Sequence, residues 1–365
     1  MRVPHRWFAP GRVNLIGEHT DYNEGFALPV AIQLGCRCTL DAGTPGRLVV
    51  RSHQKSTEVA VSPDHLAPGS EWLSGPDVWA GYAAGVLWAA GRPDLLVDGV
   101  TVEIDADLPA GAGLSSSAAL CCSVAGAVLD RLGEPPSAAR VAALAMSAET
   151  EFVGAPTGGL DQLAVTHGRA GHAMLCDLRD DTVEQIPLPL DAAGLAVVVV
   201  DTGAPHDHVG GEYADRRAAC RAACAELGRS SLRDAVPADL DRLSTPVLRR
   251  RVRHVLTENA RVLEVARLLR AGAVADIGPL LTASHESMRD DYEITVPRVD
   301  DAVAALLDAG ALGARMTGGG FGGCVIGLVA AGQAEPAIAA VRSRLGDERL
   351  WAIRPQPSDG ARRLP

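Results

Sequence analysis

Twelve consecutive residues, Leu108-Pro109-Ala110-Gly111-Ala112-Gly113-Leu114-Ser115-Ser116-Ser117-Ala118-Ala119, restrict the architecture more than any other part of this 365-residue chain. Ahead of them, Val100, Val102 and Ile104 alternate with Thr101, Glu103 and Asp105, which predicts a half-buried strand over 100–107. Behind them, Leu120, Val124, Val128 and Leu132 recur at helical spacing, and Gly133 supplies a C-terminal stop. A strand therefore feeds a loop of small residues that opens a helix. Gly111 and Gly113 free backbone N–H groups to turn inward, and the three serines place hydroxyls at the positive end of the helix dipole. Such a loop suits an anion, above all a phosphate chain. The same residues would also make a plain tight turn with serine as N-cap.

Composition narrows the choice of ligand. The formal net charge is −11, with 47% hydrophobic and 22% charged residues. That balance describes a globular protein and excludes a nucleic-acid or anionic-membrane surface, since both need basic patches. The length accommodates two domains. Residues 1–13 show no secretory pattern and no apolar run is long enough to span a bilayer, so a cytoplasmic protein is expected. The eight scattered cysteines read as reduced core thiols, and Cys36-Arg37-Cys38 is too short for a zinc site. Lys55 is the single lysine, and Gln54 precedes it. A Walker A loop needs Gly-Lys-Ser/Thr and a protein kinase needs a strand lysine, so neither design is expected. Backbone amides, hydroxyls and arginines would have to hold any nucleotide.

Near the N-terminus, apolar Val13, Leu15, Ile16, Phe26 and Leu28 frame a dense polar patch of Arg12, Asn14, Glu18, His19, Asp21, Tyr22 and Asn23. Glu18 and Asp21 offer several hydroxyl-accepting oxygens, as a polyol such as a sugar requires; a polar loop with Arg12 in a surface ion pair is the plainer alternative. Strands are expected over 47–51 and 57–61. A helix is expected over 78–90, whose Trp79, Tyr82 and Trp88 serve core packing better than base stacking. Ser137 caps a further predicted helix with Val141, Leu144, Ala145, Ala148 and Phe152 on its apolar face. Glu149 lies at the buried edge of that face and needs a cation. Arg140 is too far along the helix to serve, which leaves an arginine from elsewhere or a metal such as Mg²⁺ shared with a nucleotide.

The glycine-rich turn Gly154 to Gln162 delivers Asp161, and a domain boundary is placed there, dividing the chain into 1–160 and 161–365. Leu195 to Val200 reads as a fully apolar strand. His206-Asp207-His208 follows with too few ligands for a metal site, and Glu212 to Arg217 opens a helix. Residues 246–309 carry mostly helical pattern, with Asp290-Asp291-Tyr292 between helices. Gly318-Gly319-Gly320-Phe321-Gly322-Gly323 permits close backbone approach before a strand from Cys324. The tail Pro355 to Pro365 reads as polar terminal coil.

Three of these patches together resemble the GHMP family of small-molecule kinases, nearly end to end. Gly11 to Asn23 is similar to the signature of its galactose-phosphorylating members, Leu108 to Ala119 to the family's phosphate loop, and Met316 to Cys324 to its third motif. The resemblance implies an α+β fold of two lobes with the active site in the cleft between N- and C-terminal domains. It implies transfer of a phosphoryl group from ATP to the C1 hydroxyl of D-galactose. Asp161 and Arg12 would be catalytic. Glu18, His19, Thr20, Asp21, Gly158 and Tyr213 would hold the sugar. Ser52 and the run Gly111, Ala112, Gly113, Leu114, Ser115, Ser116 and Ser117 would hold ATP, and Ser117 with Glu149 would hold Mg²⁺. Gly159-Leu160 departs from the Ile-Met often found before the acid. Sensors similar to these kinases bind both ligands without turnover but lose residues beside the phosphate loop. Here Ser117-Ala118, Glu149, Arg12 and Asp161 are all present. A monomer is expected.

Overall fold

The computed structural model describes residues 4–92, 94–109, 111–155, 157–204 and 209–365. Its largest sheet has six strands in the order Arg362–Arg363, His5–Asn14, Pro29–Ala42, Val100–Ala106, Leu48–Ser52 and Val59–Val61. Neighbours run antiparallel except Leu48–Ser52 and Val100–Ala106, which run parallel. A parallel pair needs a crossover, and the helix Val78–Ala89 lies in that connection. The expected alternation over 100–106 is present: Val100, Val102 and Ile104 are buried while their neighbours are not. Inward residues of this sheet pack against the helices Val78–Ala89, Ser116–Leu132 and Ala138–Ser147, and Trp79, Tyr82 and Trp88 pack on the same core.

The strand Leu195–Asp201 joins a second sheet, in the order Gly313–Met316, Cys324–Ala330, Leu195–Asp201, Ala352–Ile353. Its uninterrupted apolar run follows from burial on both faces. Val197 and Val199 belong to the first core, whereas Ala196, Val198 and Val200 belong to a second core with Leu306, Tyr292 and Val252. Because side chains alternate along a strand, one sequence segment fastens the two cores together. A third sheet, Phe26–Ala27, His172–Asp177 and Thr182–Pro187, closes over Leu160 and Ala164. The fold is thus α+β, as the sequence implies.

The C-terminal tail is not coil. Trp7 and Phe8 pair with Arg363 and Arg362, and Ile32 bridges Pro357, so the tail covers an edge of the large sheet. Asp290 to Tyr292 lie between the helices Gly278–Ser287 and Pro297–Asp308, as expected, in a π-helical turn, Met288–Tyr292, that continues the first of them. Among the described residues no helix is long and apolar enough to cross a membrane.

Candidate active site

Two cavities meet at one wall. The first, about 340 Å³, is lined by Arg12, Glu18, His19, Asp21, Ser117, Glu149, Gly158, Asp161 and Tyr213, with Asn14, Thr157 and Gly319 among others. The second, about 360 Å³, is lined by Gly111, Gly113, Leu114, Ser115, Ser116 and Ser117 and by Gly319, Gly320, Gly322 and Gly323 from the other lobe. Arg12, Ser117, Asp161 and Gly319 border both.

Arg12 reaches that wall because the strand His5–Asn14 slips register between Pro10 and Arg12, and such bulges re-aim side chains. It is buried, so it makes no ordinary surface ion pair. Its Nε donates to Asp161 Oδ1 at 2.8 Å, its Nη2 lies 2.6 Å from the same oxygen, and its Nη1 donates to Gly113 O at 2.5 Å. Asp161 stands in the first turn of the helix Leu160–His167, entered through left-handed Gly159 at φ 90°. The acid is therefore presented on a helix rather than in the turn before it.

The second cavity is built largely of backbone. Gly111 and Gly113 adopt φ of 76° and 74°, and Ser115 is left-handed at 58° at the start of the helix Ser116–Leu132. Ser115 makes no capping bond, and its buried Oγ has no hydrogen-bond partner among the described residues. Ala112 packs in the core rather than facing the cavity. Ser52 lies beyond both linings, where its hydroxyl donates to Gln54 Oε1. Ala110 and His206 to His208 fall outside the described residues.

Glu149 hangs at the seam, in a π-helical turn over Ala148–Val153 that follows the Ser137-capped helix. Ser117 Oγ donates to its Oε2 at 2.9 Å and Gln162 Nε2 to its Oε1 at 2.7 Å. No arginine pairs with it among the described residues. Burial, and then the negative charge of Asp161, push its carboxyl up to about 7.

The first cavity is lined by ionisable side chains held from behind. His19, left-handed at φ 59°, presents Nε2 to Gly319 O at 3.1 Å and Nδ1 to the Tyr22 hydroxyl at 2.6 Å. Burial holds this imidazole down to about 3, so it is neutral. With a carbonyl accepting from Nε2–H, Nδ1 must accept from Tyr22. Asp21 is pushed up to about 6, chiefly by burial. A Cβ at Gly158 would fall 2.0 Å from Asp21 Oδ2, so glycine there is a condition for that carboxylate's position. Thr20 does not line the cavity; its hydroxyl holds the turn through Gly17 O at 2.8 Å and Phe26 O at 2.7 Å.

Glu18 borders the cavity, but its carboxylate is already engaged by Arg315 and by Gly318 N–H at 3.1 Å. Fully buried Arg315 also donates to Leu15 O at 2.8 Å and lies 3.8 Å from Glu258 Oε1. Glu258 in turn accepts from Gly17 N at 3.0 Å, Ser284 Oγ at 2.6 Å and Arg261 Nε at 2.8 Å. Burial opposes its charge, yet Arg315 and Arg261 outweigh burial and hold its carboxyl down to about 2. His254 donates to Glu18 O at 3.1 Å.

Arg315, Glu258 and His254 did not figure among the sequence candidates. A signal existed: Glu258 and His254 interrupt the apolar face Val252, Val255, Val262, and Arg315 sits in a strand with every residue buried.

The chain matches the galactokinase galactose-binding signature over residues 2–41, the GHMP kinase N-terminal domain over 81–169 and the GHMP kinase C-terminal domain over 265–347. Fold and paired cavities thus define a GHMP kinase. A Mycobacterium bovis galactokinase is 47% identical over 340 residues, covering 92% of this chain and 91% of the relative. A Streptomyces coelicolor galactokinase is 43% identical over 367 residues, covering 98% and 94%. The crystal structure of Lactococcus lactis galactokinase complexed with galactose superposes with a TM-score of 0.91 at 29% identity, covering 100% of this chain and 96% of that one. The chain belongs to the galactokinase family.

Proposed function

We propose that this protein transfers the γ-phosphoryl group of ATP to the anomeric C1 hydroxyl of D-galactose, giving α-D-galactose 1-phosphate and ADP. The observation that carries the proposal is the Arg12–Asp161 pair on the wall common to both cavities. A sugar in the first cavity and a phosphate chain in the second would meet there. Phosphoryl transfer depends mostly on such positioning and on electrostatics. Asp161 accepts the C1 hydroxyl proton, and Arg12, fixed by Asp161 and Gly113 O, faces the charge that develops on the transferring group.

His19, Asp21, Gly158 and Tyr213 enclose the sugar, with Glu18 shaping the cavity floor through Arg315. Gly111, Gly113 and Leu114 to Ser117 cradle the phosphates. Thr20 and Ala112 support their loops from behind, and Ser52 keeps at most an outer contact with the nucleotide. Glu149 and Ser117 fit Mg²⁺: a buried carboxylate with no cationic partner among the described residues, beside a hydroxyl, is a hard-oxygen donor set. Bound there, the ion would neutralise phosphate charge. We divide the lobes at 160/161 and take the protein to act as a monomer.

The test is an ATP-consumption assay with galactose, glucose, arabinose and N-acetylgalactosamine, on the parent and on Asp161→Asn. Turnover on galactose that falls roughly 10²- to 10⁴-fold in the variant is expected. Turnover on a different sugar alone would move the substrate, and binding of both ligands without turnover would refute the kinase reading.

A further inference from the structure

Behind the sugar-facing turn lies a separate cavity of about 400 Å³, lined by Arg217, Arg221 and Arg229 together with Tyr22, Asn23 and Ser231. Arg217 and Arg221 stand one turn apart on the helix Val209–Leu227, and Arg229 follows its end. No Asp or Glu lines this cavity among the described residues. Neither Arg217 nor Arg221 has an ion-pair partner among them, although acidic residues outnumber basic ones, 45 to 34. Arg229 gives Nη2 to Asp239 at 2.7 Å, while its Nε is buried without a hydrogen-bond partner among the described residues. Three arginines that line one cavity, two of them without an ion-pair partner among the described residues, offer the bidentate donors that phosphate oxygens accept from arginine.

We infer that this cavity is a second anion site, which takes a phosphate group carried free or as a phosphomonoester, and that its occupancy weakens sugar binding. The coupling runs through shared residues. Tyr22 and Asn23 form its inner wall, and Asp21 of the same turn lines the sugar cavity. Asn23 Nδ2 donates to His19 O at 2.8 Å, and Ser231 Oγ donates to Asn23 O at 2.7 Å. Arg217 lies over the Tyr22 ring at 5.3 Å, and the Tyr22 hydroxyl meets His19 Nδ1. An anion that draws Arg217 outward takes positive charge and packing from the turn that presents Asp21 and His19. A site coupled in this way must respond reciprocally to sugar. The binding half stands alone; the coupling half rests on the proposed sugar site.

Titration calorimetry tests both halves. Inorganic phosphate, and separately glycerol 1-phosphate, is added to the parent and to Arg221→Glu, each with the phosphate cavity filled by a saturating non-hydrolysable ATP analogue. Arg221 is exposed, so the charge reversal leaves the fold intact. Binding that persists with the nucleotide in place and weakens at least about tenfold in Arg221→Glu is the expected result. Equal affinity for both probes assigns recognition to the phosphate, and tighter binding of the ester assigns part of it to the attached alcohol. Binding that vanishes once the nucleotide is present, or is equal in both proteins, overturns the site. Steady-state assays at fixed ATP then read the galactose KM. It should rise with added phosphate in the parent and stay constant in Arg221→Glu, with kcat unaffected. A KM that phosphate does not move in the parent overturns the coupling. Calorimetry needs no turnover, so failure of the kinase proposal would show in the sugar panel and leave this result readable.

Discussion

The two halves of the site are made of different material. The sugar half relies on side chains: His19 and Asp21 in front, with Glu18, Arg315, Glu258 and His254 locked behind them. The phosphate half is mostly main chain, with Gly111 and Gly113 at positive φ and a facing run from Gly318 to Gly323. Buried ionised side chains hold one geometry only while every partner is present. Main-chain N–H groups persist whatever the neighbouring side chains do. Sugar recognition should therefore fail sharply on single substitutions, and phosphate recognition should fail gradually.

The most severe break is Arg315→Met. It leaves Glu18 and Glu258 as two buried carboxylates without their shared guanidinium, and removing one partner of such a network costs about 3–5 kcal/mol. Urea denaturation should show that loss, and Arg315→Lys, which keeps the charge but not the fork, should recover part of it. A Met variant within about 1 kcal/mol of the parent would mean that the network holds nothing in place.

Next in size is Gly158→Ala. Its Cβ would overlap Asp21 Oδ2, so that carboxylate must shift from the position it holds in the sugar cavity. An overpacking cost of about 1–3 kcal/mol, if borne by the sugar-bound state, corresponds to a galactose KM raised roughly 5- to 150-fold. The KM for ATP should stay within about twofold, because the phosphate half is built elsewhere. Parallel changes in both constants would contradict the division drawn here.

Legibility in the sequence follows the same division. Gly111 to Ser117 and Arg12 to Asn23 are contiguous, and their chemistry can be read without knowing the fold. Apolar alternation gave the strand over 100–106, and helical spacing put Glu149 at a buried edge. What escaped was long-range. Glu258 meets Gly17 from 241 positions away and Arg315 meets Glu18 from 297. No local pattern carries such a pairing, so Glu18 looked free for sugar when it was already bound. The tail was misread for a related reason: an edge strand is identified by the strand it covers, here His5–Asn14, and not by its own polar composition.

Acidity should separate the halves again. Metal binding requires ionised Glu149, and with its carboxyl near 7 a proton competes below that pH. The Mg²⁺ concentration for half-maximal activity should be flat above pH 8 and about tenfold higher at pH 6. Asp21, near 6, should raise the galactose KM only below that value. Both carboxyls lie above their unfolded values, so the stability these two groups contribute to the metal-free protein should be lost as pH rises from about 4 through 7. Added Mg²⁺ should restore the share due to Glu149. A Mg²⁺ requirement constant from pH 6 to 8 would remove Glu149 as its ligand.

The smallest expected effect discriminates most finely. Ser115 Oγ is buried at the phosphate cavity with no hydrogen-bond partner among the described residues, which leaves a donor where a phosphate oxygen would sit. Ser115→Ala removes that burden, and the free protein should unfold at an equal or slightly higher temperature. The same change deletes one hydrogen bond to ATP among several from the backbone, so the KM for ATP should rise only about threefold to tenfold. Stability and affinity should thus move in opposite directions. If both fall, the hydroxyl serves the fold instead, and the phosphate half depends on side chains as much as the sugar half does.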